Sequence, residues 1–135
     1  NPHTAGRLYD ESTIVAVATP PGYGGIGVVR LSGSSSLDLA SRLFPERNTP
    51  LLHLRPSLAI LKDPADGHAI DEALVTYFKG PNSYTGEDIV EISCHGSPVI
   101  LGEVIRVLRS LGAELARPGE FTMRAFLNRR IDLTQ

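Results

Sequence analysis

A single cysteine, Cys94, in a chain of 135 residues excludes an internal disulfide and a cysteine-rich zinc site, the usage expected of a reducing compartment. The chain also lacks an excess of charge of either sign. Thirteen basic against fifteen acidic residues leave a formal net charge of -2, which excludes bulk attraction to a phosphate backbone or an anionic membrane. No apolar run approaches the roughly 18 residues of a membrane helix. The opening "NPHTAGRLYDES" has neither the apolar core nor the cleavage pattern of a signal peptide, so a cytoplasmic location without membrane attachment is expected. Repeats and low-complexity segments are absent. The four histidines, His3, His53, His68 and His95, show no metal-ligand spacing, and no metal site is expected.

What is present is ordinary for a globular domain: 41% apolar and 21% charged residues, in a length that supports one hydrophobic core. Residues 1–11 lack periodicity and read as a flexible arm, leaving 12–135 as a single domain. The β-branched "TIVAVAT" reads as a strand stopped by Pro20 and Pro21, and "IGVVRLS" as a second. "SSSLDLASRLF" has serine caps and helical spacing at Leu37, Ala40 and Leu43, ending before Pro45. "SLAILK" and "EALVTYF" flank the turn-rich "DPADGHAID" and predict an antiparallel hairpin. After the polar loop "GPNSYTGED" comes the strand "DIVEISCH", then an amphipathic helix in "SPVILGEVIRVLRSLG", with Ser97 as cap, Pro98 in the first turn and Gly112 as stop. A short extended "AELARPG" and a helix from Thr122 complete an α+β domain: a mixed β-sheet with a hairpin, flanked by about three helices.

Gly22, Gly24 and Gly27 in "PPGYGGIGVVRLSG" match the G-x-G-x-x-G of dinucleotide-binding loops. That loop works by leading into a helix whose N-terminus receives a pyrophosphate, whereas this one leads into a strand. A Walker A loop fails too, since Gly27 is followed by Val28 rather than lysine. The glycines instead suit close approach of another backbone, a ligand or a dimer mate.

Ionisable residues inside regular elements are more telling. Strand alternation places Ile26, Val28, Arg30 and Ser32 on one face, with Gly27, Val29 and Leu31 opposite. In the later strand it places Val90, Ile92 and Cys94 opposite Ile89, Glu91, Ser93 and His95. At 100° per residue, Arg130 projects from the middle of the stripe Met123, Phe126, Leu127 and Ile131, leaving Arg124 and Asp132 toward solvent if the helix continues through Asn128. Arg30, Glu91 and Arg130 are therefore either an architectural cluster or a site for a ligand with a carboxylate and a flat ring. Cys94 and His95 point to opposite faces and cannot act as nucleophile and base together. Glu87 and Asp88 sit where acidic residues cap or stay solvated. No catalytic residue is assigned.

Three blocks, "TIVAVATPPGYGGIGVVRLSG", "GPNSYTGEDIVEISCHGSPVI" and "ARPGEFTMRAFLNRRIDLTQ", make residues 13–135 resemble the N-terminal domain of the TrmE/MnmE family of tRNA-modification GTPases; residues 34–71 add little. The resemblance implies a fold related to the tetrahydrofolate-binding part of aminomethyltransferases. It also implies a homodimer, and 5-formyltetrahydrofolate or a related one-carbon folate as ligand. By motif, the folate-holding positions fall on Arg30, Glu91 and Arg130. Two positions depart from the family's pattern: Arg130 stands where lysine is usual, and His95-Gly96-Ser97-Pro98 replaces His-Gly-Gly-Pro. The family protein further implies a helical domain with an inserted GTPase domain, which uses GTP, magnesium and potassium. Its partners are the flavoprotein GidA/MnmG and tRNA, whose wobble uridine receives an aminomethyl-type group. Those domains are not in this sequence, so binding and dimerisation, or dimerisation alone, are the activities expected of it.

Overall fold

The computed structural model of the chain describes residues 11–19 and 25–134, with side chains to residue 129. Most of the expected arm, Gly22 and Gly24 of the glycine loop, and the side chain of Arg130 lie outside the described residues. The elements run β1 (Ile14–Val17), β2 (Ile26–Ser32), α1 (Ser36–Ser41), β3 (Ser57–Lys62), β4 (Ala69–Phe78), β5 (Ile89–His95), α2 (Pro98–Ser110), β6 (Glu114–Leu115) and α3 (Glu120–Thr134). They form one six-stranded sheet in the order β3-β4-β5-β2-β1-β6. All neighbours are antiparallel except β1 and β6. The expected mixed sheet, its β3–β4 hairpin and the three helices are all present.

Alternation decides which face is core. Gly27, Val29 and Leu31 of β2 and Val90, Ile92 and Cys94 of β5 are buried, and the four larger strand residues Val29, Leu31, Val90 and Ile92 pack with Leu39 and Ala40 of α1 and with Val104, Val107 and Leu108 of α2. At about 1.5–3 kcal/mol for each large apolar side chain fully buried, this layer is the main source of stability. α1 is shorter than its periodicity suggests, because Leu43 and Phe44 enter the core from the turns that follow it. Helix α2 is capped as expected. Ser97 has extended backbone (φ -64, ψ 131) and its hydroxyl accepts from the Val99 N–H at 3.2 Å, so no left-handed residue is needed there.

At Gly25 and Gly27 the start of β2 packs against the start of α2. The Gly96 N–H donates to the Gly25 carbonyl at 2.8 Å. A Cβ at Gly27 would stand 2.7 Å from Leu101 Cδ2 and 3.1 Å from Gly96 Cα. The close approach required of Gly27 is thus to the start of α2.

The other face of the sheet is covered by residues 80–88 and α3. Ile14 and Ile89, which both stand beside Ser32 in register, are buried there, outside the main core. α3 begins at Glu120, two residues earlier than Thr122, and continues through Asn128. Its orientation reverses the expectation from hydrophobic periodicity. Arg124 is fully buried, while Met123 and Phe126 are 42% and 62% exposed. Glu120, Arg124 and Asn128, spaced i, i+4, i+8, form the inward row, and each bonds to the rest of the domain or to its neighbour in the row.

Candidate functional site

The polar face of β2 carries the site. Arg30 and Glu91 are direct cross-strand neighbours, and the guanidinium donates from Nε to Glu91 Oε2 at 2.9 Å while Nη2 lies 2.8 Å from the same oxygen. Both side chains remain about a quarter exposed (27% and 26%), so the pair is neither sealed in the core nor free in water. The Arg30 guanidinium also lies 5.6 Å from the centroid of Phe121 in α3, within cation–π range.

Arg30 forms part of the wall of a 490 Å³ pocket between β1, residues 116–119, the start of α3 and Tyr84. Tyr84 and Phe121 give it two aromatic walls, and the Tyr84 hydroxyl meets Thr122 Oγ1 at 3.0 Å, tying residues 80–88 to α3. Small-molecule sites commonly measure about 300–1,000 Å³ and combine apolar walls with a few polar groups. Two aromatic rings with a guanidinium beside them can hold a flat ring with hydrogen-bonding edges. Glu91 reaches the pocket through Arg30 rather than lining it. The structure therefore brings Arg30 and Glu91 together; the third expected member, Arg130, lies outside the described side chains.

Two residues with structural importance at this site escaped the sequence reading. Arg124, expected in solvent, is buried: its Nη1 donates to the Ser12 carbonyl at 2.8 Å and to Glu87 Oε1 at 3.1 Å, and its Nη2 to Glu120 Oε2 at 3.0 Å. Glu87, expected to cap or stay solvated, is also buried, and its Oε1 accepts from the Ser32 hydroxyl at 2.8 Å. Ser32 follows Arg30 by two on the same face of β2, so this ion pair anchors the pocket's α3 wall to the strand that bears Arg30. Gly86, at φ +82, faces Asn128, where a Cβ would stand 3.1 Å from Asn128 Cβ. The Asn128 side-chain amide donates to the Thr85 carbonyl beside it. The i, i+4 polar row in α3, together with an acid in "YTGEDI", was the available signal.

Cys94 lies in the core and its thiol is pushed up to about 11, by burial first and the Asp71 charge second, so it is a poor nucleophile at neutral pH. His95 is exposed and bonds Asp71 through Nδ1 at 2.9 Å, from the opposite face. Among the described residues, folding gathers one set of possible metal donors that spacing did not reveal: Asp63, Asp66 and His68 each place an atom within 4.8 Å of the others. These atoms already serve one another and their neighbours. His68 bridges Asp66 and Glu103, both at 2.6 Å, while Asp63 accepts from Arg106 at 3.0 Å and from the Ala65 N–H at 2.9 Å. The carboxylates of Glu103 and then Asp66 raise the His68 pKa.

By fold and site the chain is an α+β sheet domain whose polar face bears a cross-strand ion pair beside an aromatic-walled pocket. The sequence profile of the family described as GTP-binding protein TrmE N-terminus matches residues 13–130. Among curated relatives, "tRNA modification GTPase MnmE" of Koribacter versatilis is 54% identical over 93% of this chain, and that of Carboxydothermus hydrogenoformans 48% over 93%. The protein of the same name from Cytophaga hutchinsonii is 51% identical over 91%. The chain belongs to the TrmE/MnmE family of tRNA-modification GTPases, as its N-terminal domain. It spans 26–28% of the length of these three relatives.

Proposed function

We propose that this domain binds a one-carbon tetrahydrofolate such as 5-formyltetrahydrofolate and forms a homodimer, as one module of a GTPase that modifies the wobble uridine of tRNA. The observation that carries the reading is the Arg30–Glu91 pair at 2.8–2.9 Å, a quarter exposed and adjoining the aromatic-walled pocket. A carboxylate accepts from the N–H and amino groups of a pterin edge, and an arginine donates to its carbonyl or to the tail. Arg130, at the position the family's motif assigns, completes the proposed set. In the whole protein, GTP hydrolysis in a separate domain that uses magnesium and potassium, a flavoprotein partner (GidA/MnmG) and tRNA would supply the reaction; this domain would supply the folate.

The test is calorimetric titration of 5-formyltetrahydrofolate into protein whose dimeric state has been verified by size exclusion. Saturable binding that Glu91→Ala weakens tenfold or more supports the reading; no binding, or undiminished binding by Glu91→Ala, refutes it. A second reading, a dimerisation module without a ligand, is favoured by one observation: Arg30 and Glu91 already neutralise each other. It predicts a dimer indifferent to folate.

A further inference from the structure

The pocket beside Arg30 contains a second arginine that neither the motif nor the strand pattern marks. Arg117 lies between β6 and α3, is solvent-exposed, and forms part of the pocket wall together with Pro118 and Gly119. Its backbone is fixed: the Arg117 N–H donates to Glu120 Oε1 at 2.9 Å, and its carbonyl accepts from the Glu120 N–H at 3.0 Å. Both oxygens of Glu120, three residues on, are thereby engaged, since the second takes Arg124 at 3.0 Å. Among the described residues, the charged members of the pocket wall are Arg30 and Arg117, with no acid among them. Arg30 is neutralised by Glu91. The Arg117 guanidinium has no such partner among the described residues, so the pocket keeps one uncompensated positive charge on an exposed side chain of its wall.

An exposed cation on the wall of a ring-binding pocket calls for an anion on the part of the ligand that projects outward. We propose that Arg117 takes the pendant carboxylate of the bound molecule, making the site select ring compounds that carry an anionic tail over neutral ones. The inference rests on the folate reading above, and it places the ring toward Arg30 with the glutamate tail leading out of the pocket. The planar guanidinium pairs a carboxylate through two parallel N–H···O bonds, which lysine cannot reproduce. An exposed charge is partly hydrated and screened by salt, so its contribution corresponds to about a tenfold change in affinity rather than a thousandfold one.

The experiment compares 5-formyltetrahydrofolate with its dimethyl ester, which keeps the ring and removes both tail charges, on the wild-type chain, Arg117→Ala and Arg117→Lys. Wild type is expected to bind the diacid about tenfold more tightly than the ester, with the preference shrinking as salt rises. Arg117→Ala should remove that preference while leaving ester affinity and thermal stability unchanged, and Arg117→Lys should restore part of it. Equal affinity of wild type for the two compounds, or equal loss for both in Arg117→Ala, overturns the role of Arg117 while leaving the folate reading intact. Failure of wild type to bind either compound overturns the folate reading, and this inference with it.

Discussion

Replacing Arg124 by methionine removes the centre of the buried polar layer between α3 and the sheet. Arg124 is fully buried and Glu87 nearly so, at side-chain exposures of 0% and 6%. Their contact at 3.1 Å is supported by Glu120 at 3.0 Å and the Ser12 carbonyl at 2.8 Å. Arg124→Met keeps much of the volume but leaves Glu87 as a buried acid, and the Ser12 carbonyl loses a donor. Breaking one side of such a pair costs about 3–5 kcal/mol. For a domain of this size that is a fall in Tm of about 11–18 °C. Glu87→Gln alone should cost less, because the amide still accepts from Ser32. In the double variant the second change should be far cheaper than when made alone, giving a coupling of about 2 kcal/mol or more. Urea denaturation of all four proteins provides the cycle. An Arg124→Met cost below about 1 kcal/mol, the level of an exposed pair, or strict additivity would refute the claim that this pair holds α3 to the sheet.

Other expectations follow from the same geometry. Cys94, buried with its thiol pushed up to about 11, should resist iodoacetamide at pH 8 in native protein and react fully in urea; fast native labelling would contradict its place in the core. His68, held by the carboxylates of Glu103 and Asp66, should titrate above 6.5 when followed by NMR. Because its folded pKa is raised, its stabilising effect is complete below about 6.5, the unfolded value, and fades as pH rises through the folded value. His68→Asn should flatten that part of the stability profile, and an unchanged profile would remove His68 as its source.

Much of this fold is legible in the sequence because its strands are half-buried in the simplest way. In β2 and β5 every second residue is apolar, so alternation assigns the core face and, by elimination, the face that holds Arg30 and Glu91. Ser97-Pro98 announces the start of α2 through capping chemistry. α3 reads wrongly for a physical reason: periodicity assumes that the apolar stripe is the buried one, yet α3 covers a polar patch of the sheet around Ser32 and Glu87, so the row Glu120, Arg124, Asn128 turns inward. Partners such as Glu87 and Arg124, 37 residues apart, meet only through the sheet's register. The same holds for the pocket, whose walls come from β1, β2, Tyr84 and the start of α3. Arg30 and Glu91 stand out as charges within strands, whereas Arg117 sits in a loop, where an exposed charge is ordinary.

The most direct test of the central claim is a crystal structure of the protein with 5-formyltetrahydrofolate. The account predicts the ring between Tyr84 and Phe121, with polar contacts to the Arg30–Glu91 pair. A folate bound elsewhere, with Arg30 and Glu91 still closed on each other and the pocket holding only solvent, would contradict it.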